Sequence, residues 1–97
     1  MRSDEILEEL ERAADKVGVR VSYETLGGDT FGPGGLCKVK GEWRVIIDRR
    51  ASASEKVSLL AQALRRFDLD PVYLSPEVRQ IVERQPRPAP VPPVKTE

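Results

Sequence analysis

The sequence predicts a small α+β domain, and three observations carry that prediction. Apolar residues recur at helical spacing near the N-terminus and again after residue 52. Between them the period switches to two, over Val19–Glu24 and on either side of Gly41. The strands come in one block between the helices, which gives the α+β order. The expected order is helix, strand, hairpin, central helix packed on a three-stranded sheet, short C-terminal helix and a disordered proline-rich tail.

The first helix has Ser3 as its expected N-cap, with Asp4 and Glu5 suited to the positive end of the helix dipole. Ile6, Leu7, Leu10, Ala13, Ala14 and Val17 form its apolar stripe, and Gly18 supplies the stop. Val19, Val21 and Tyr23 alternate with Arg20, Ser22 and Glu24, the pattern of a strand with one buried face. Leu26 to Gly35 reads as a glycine-rich loop. A hairpin follows, and Gly41-Glu42 is the expected turn centre, a glycine-first pair suited to a type II′ turn. Both of its strands carry apolar residues on both faces, which leaves the register open. Ile46 beside Ile47 marks the second as central or covered.

Ser52 and Glu55 have capping-box spacing. The helix they open carries Val57, Leu60, Ala61, Leu64 and Phe67 on one stripe and ends at Asp68-Leu69-Asp70-Pro71. Ser75-Pro76-Glu77 starts the last helix, which has Val78, Ile81 and Val82 on its apolar side. Residues 1–84 form the expected domain. Residues 85–97, rich in proline, cannot build helix or sheet and read as an extended tail.

Composition bounds function. Lys plus Arg balance Asp plus Glu at 16 each, and a dedicated nucleic-acid binder normally carries an excess of cations. The charge is segregated all the same. Residues 1–11 are acidic and residues 38–66 basic, which an acidic helix packed near a basic hairpin and helix would explain. A single cysteine cannot close a disulfide within the chain and points to a reducing compartment. No apolar run is long enough to span a bilayer. The expectation is cytoplasmic, with no membrane partner, as a monomer or a homodimer.

The chemistry-bearing motifs are few. Gly27 and Gly32 begin a phosphate-loop spacing, but Pro33 and Gly34 stand where lysine and a hydroxyl must follow. A dinucleotide-binding reading of Gly32 to Cys37 lacks its third glycine and leads into a strand. Cys37 lies beside Lys38, but nucleophilic cysteine chemistry usually needs a histidine base and the chain has no histidine. A half-buried strand position is expected for it. Asp48, at a strand end, is the one well-placed acid, and a turn or cap role suits it better than catalysis. With one thiol and scattered carboxylates, no metal site and no cofactor are expected.

The strand-turn-strand of residues 35–48 and the segment from Glu55 to Arg65 that follows resemble the core of the zincin metallopeptidases, in particular the compact ImmA/IrrE-like kind. The same block also resembles short bacterial proteins of about this length. Lys56 and Val57 match the lead-in to the family's His-Glu-x-x-His helix. Ala61 replaces the first histidine, Gln62 the glutamate base and Arg65 the second histidine. The resemblance covers residues 5–84 loosely and 35–67 better. It implies a zincin-like scaffold without its metal site, because an alanine cannot ligate zinc and an amide cannot take a proton from zinc-bound water.

These readings together predict a non-catalytic interaction module, an adaptor or accessory protein whose partner is another protein. The alternative is weak nucleic-acid binding through the basic hairpin and helix surface, and an enzyme using Asp48 or Cys37 comes third. The expected contact residues are Trp43, Arg49, Arg50, Arg65 and Arg66 in the domain, with Arg87, Pro90 and Pro93 in the tail. The last three satisfy the R-x-x-P-x-x-P spacing read by grooves that bind polyproline segments. A tethering or solubilising tail explains the same composition.

Overall fold

The computed structural model describes residues 2–25 and 34–86. It shows the expected α+β order: α1 (Ser3–Lys16), β1 (Val19–Glu24), β2 (Gly34–Val39), β3 (Glu42–Asp48), α2 (Ala53–Leu64) and α3 (Pro76–Arg84). The sheet order is β1-β3-β2. β3 pairs in parallel with β1, Val21 opposite Val45, and antiparallel with β2, Leu36 opposite Val45. The central place of β3 follows from its sequence. Val45 and Ile47 are fully buried, and Ile46 between them is half-buried on the opposite face.

The three helices gather on the face of the sheet that carries Val19, Val45 and Ile47, and one core results. Leu10 of α1 and Leu60 and Leu64 of α2 are wholly buried in it. Each such leucine contributes about 1.5–3 kcal/mol relative to an exposed one. Ala13, Ala14 and Ala61 are sealed in the same core, so small side chains sit where the two helices press together. α3 packs on α2 and α1 rather than on the sheet. It is tied to α1 by a long-range bond in which the Ser75 N–H donates to Glu9 Oε2 at 2.6 Å.

Three local expectations are corrected. The N-cap of α1 is Arg2, not Ser3. The backbone N–H of Arg2 donates to the Glu5 carboxylate at 2.9 Å, so the capping carboxylate comes from Glu5. The hairpin turn is centred on Lys40-Gly41, one residue earlier than Gly41-Glu42. Val39 pairs with Glu42, and both intervening residues have positive φ, 52° and 81°. That is the type I′ signature, whose twist matches the flanking strands. Finally, α2 ends at Leu64 instead of running to Phe67. Tighter bonds from Arg66 N to Ala63 O and from Phe67 N to Leu64 O unwind its end, and Phe67 reaches the core from that turn.

The remaining signals agree. Gly18 closes α1 at φ 82°. The Glu55 N–H donates to Ser52 Oγ and the Ser52 N–H to Glu55 Oε1, at 3.1 and 3.0 Å, completing the capping box. Ser75 caps α3 through the Val78 N–H. The proline-rich tail beyond Pro86 lies outside the described residues, as does most of the glycine-rich loop.

Candidate functional site

The helix that the zincin resemblance singles out presents its three positions very differently. Ala61 is 0 % exposed, packed into the core. Gln62 is exposed and faces a groove of about 300 Å³ between α2 and β2, lined by Leu36, Leu59, Ala63 and Arg66. Arg65 is half-buried beyond the last turn, and its Nε finds no acceptor among the described residues. Residues 61 and 65 share one side of the helix by spacing, yet only the second reaches the surface. Among the described residues, no group of three or more cysteine or carboxylate side chains is placed to hold a metal ion.

Asp48 and Cys37 occupy structural places. Asp48 lies at the end of β3, where its carboxylate accepts from the Arg50 backbone N–H at 2.9 Å and from Arg50 Nε and Nη2 at 3.2 and 3.0 Å. The side-chain bond from Arg50, then the backbone bond, hold the acid below its ordinary pKa, and Asp48 raises that of Arg50 in return. A carboxylate engaged in this way is a turn-closing residue and a poor proton acceptor. Cys37 is half-buried on the helix-free face of the sheet, in register with Arg44.

The expected contact residues do not assemble into one surface. Arg49 and Arg50 sit before α2, and Arg65 and Arg66 after it. The 12 residues of that helix separate the two pairs by about 18 Å along its axis. Arg49 donates to the Tyr23 carbonyl at 3.0 Å and Arg50 is committed to Asp48. Trp43 is half-buried on the core side of β3. It meets Phe67 edge-to-face with centroids 6.0 Å apart, and Lys38 Nζ lies 5.1 Å from its ring. Its ring closes the end of the core, which leaves it little freedom as an anchor. Arg87, Pro90 and Pro93 lie outside the described residues.

One exposed aromatic escaped the sequence reading. Tyr73 is 82 % exposed between the buried Val72 and Leu74, in the segment joining α2 to α3. The period-two alternation of those three residues is the signal that turns its ring outward.

Both edges of the sheet are open. Among the described residues nothing pairs with the outer side of β1 or of β2. Beside β1 runs a groove of about 490 Å³, walled by Glu11 and Asp15 of α1, floored by Val19, Val21 and Tyr23, and closed at one end by Glu42. The Tyr23 hydroxyl donates to the Glu11 carboxylate. Burial first, and then that bond and the carboxylate's charge, push the Tyr23 phenol well above its ordinary range. Glu42 is shared between Arg20 at 3.7 Å and Arg44 at 3.5 Å.

No family model matches the chain, and neither does any curated protein or solved structure. No helix among the described residues is long and apolar enough to cross a membrane.

Proposed function

We propose that this chain is a non-catalytic protein-interaction module, an adaptor or accessory subunit of the bacterial cytoplasm built on a zincin-like scaffold that has lost its metal site. The observation that carries this reading is the open sheet: among the described residues, both of its edges are unpaired and no helix covers one of its faces. Unpaired edges are the standard template for adding another chain, and proteins that do not use them usually cover them. The residues with reactive potential support it from the other side, since Asp48 is locked to Arg50 and Ala61 is packed in the core. The nucleic-acid alternative draws less support, because its arginines are split between the two ends of α2 and Arg50 is neutralised by Asp48.

The test is co-purification of the full chain and of a version ending at residue 84 from the native host, followed by size-exclusion chromatography and metal analysis. A stoichiometric complex with a protein, free of zinc, is the expected result. Zinc at one equivalent in a native preparation, or substrate turnover that follows side chains of α2, would overturn the reading.

A further inference from the structure

The free edge of β1 offers more than an absence of pairing. The Arg49 N–H donates to the Glu24 carbonyl at 3.0 Å, which shows that the backbone of Glu24 faces β3. Backbone groups alternate sides along an extended strand, so those of Ser22 and Arg20 also face β3. The N–H and C=O groups of Val19, Val21 and Tyr23 therefore point to the outer edge. Arg49 Nη2 takes the Tyr23 carbonyl. Among the described residues, both groups of Val19 and Val21 remain for an incoming strand, along with the Tyr23 N–H.

The wall beside that edge has a definite sign. Glu11 and Asp15 stand one turn apart on α1 and both line the groove. Further along α1 the sign is mixed, with Glu8 beside Arg12 and Lys16, so the acidic stretch that faces the edge is Glu11 and Asp15. Among the described residues that line the groove the cation is Arg20, which is engaged with Glu42; at the Tyr23 end Arg49 holds the carbonyl and Lys56 Nζ lies 5.4 Å from the ring. A second copy of this chain is a poor occupant. Two-fold pairing of β1 with β1 would bring two α1 helices, each heading an acidic N-terminal segment, alongside one another, and like charges in register repel.

We propose that β1 is a strand-addition site for an extended basic segment of another protein, lysine or arginine alternating with β-branched residues. The backbone of that segment pairs with Val19, Val21 and Tyr23, and its cations on the helix side meet Glu11 and Asp15. This rests on the interaction-module reading and gives it an address and a partner chemistry.

The experiment uses the full chain and a labelled short peptide alternating lysine with valine and threonine, read by fluorescence anisotropy, with a glutamate-for-lysine peptide as control. The lysine peptide is expected to bind and the control to fail, with affinity falling as salt is raised. Asp15→Lys, at an exposed position, should weaken binding about fivefold. Val21→Pro removes an outward N–H without touching the β1–β3 bonds and should abolish it. Hydrogen exchange supplies the most specific readout: peptide should slow the amides of Val21 and Tyr23 and leave those of Arg20 and Ser22 unchanged. Equal binding of both peptides, binding indifferent to Asp15→Lys, protection confined to β2, or self-association of the chain through β1 would each overturn the proposal. A stoichiometric host complex alongside a peptide that fails to bind would sink this inference and leave the module reading standing.

Discussion

Replacing Ala61 by histidine supplies the first ligand of the proposed zincin-like pattern, and the burial of that position says the protein will reject it. Ala61 has no exposed surface and sits in the core with Leu10, Leu60 and Leu64. An imidazole there must displace packed neighbours, which costs about 1–3 kcal/mol. Its nitrogens would be buried without partners, adding about 1–3 kcal/mol. The sum of about 2–6 kcal/mol compares with a total stability of about 4–12 kcal/mol for a domain of some 80 residues. Ala61→His should therefore lose between about a sixth of its stability and all of it. Gln62→Glu on the same helix is exposed and should stay within about 0.5 kcal/mol of the parent. Urea unfolding followed by far-ultraviolet circular dichroism, with Trp43 fluorescence as a second probe, reads both variants. The combined variant Ala61→His, Gln62→Glu, Arg65→His should take up no zinc in calorimetry. A stable Ala61→His protein, or tight stoichiometric zinc in the combined variant, would refute the account of residue 61 as core and revive an open metal site.

Lys40→Asn should raise the unfolding free energy by about 0.5–1 kcal/mol, because Lys40 holds φ 52° in a type I′ turn where asparagine tolerates the left-handed region better than lysine; an unchanged or lower thermal midpoint would count against that turn. Tyr23 has its pKa raised in the fold, so the stability it contributes is full below the ordinary phenol pKa of about 10 and is lost as pH rises from there through the raised folded value. Tyr23→Phe should cost about 1 kcal/mol at neutral pH and show a shallower alkaline decline than the parent in urea midpoints. Asp48 has its pKa lowered, so its contribution is present above the ordinary carboxylate range and lost as pH falls through it. Asp48→Asn should lower the midpoint at neutral pH and flatten the acid limb; parallel acid limbs would show that the Arg50 contact is energetically silent.

The helices were legible because their signals are local. A stripe at helical spacing, the Ser52–Glu55 box and Ser75-Pro76 each act within a few residues of chain, so no tertiary information is needed to read them. The misread turn and the late end assigned to α2 have a common cause. Gly41 admits either a II′ or a I′ turn, and only the Val39–Glu42 pairing chooses between them. Phe67 continues the α2 stripe in sequence, yet it can fill its place beside Trp43 from an unwound turn as well as from a helix. The spatial split of the four candidate arginines was not legible, because composition says nothing about which end of a helix a charge occupies. The groove beside β1 was invisible because it joins Glu11 and Asp15 to a strand whose neighbour, β3, lies some twenty residues further along the chain.

By itself the sequence determined the class of fold, the number and order of the elements, the aliphatic stripes that build the core and the lack of histidine chemistry. These are properties of single residues and short periodicities, which the backbone obeys wherever it is placed. The pair Ile46-Ile47 already marked β3 as central or covered, but only the tertiary structure decided that β1 is its second neighbour, that β1 runs parallel to it with an outer edge unpaired among the described residues, and that the carboxylates of α1 stand over that edge. Which strand takes the second place beside β3, and in which direction, depends on the long-range pairing that buries the most apolar surface, and no local pattern in the chain encodes that choice.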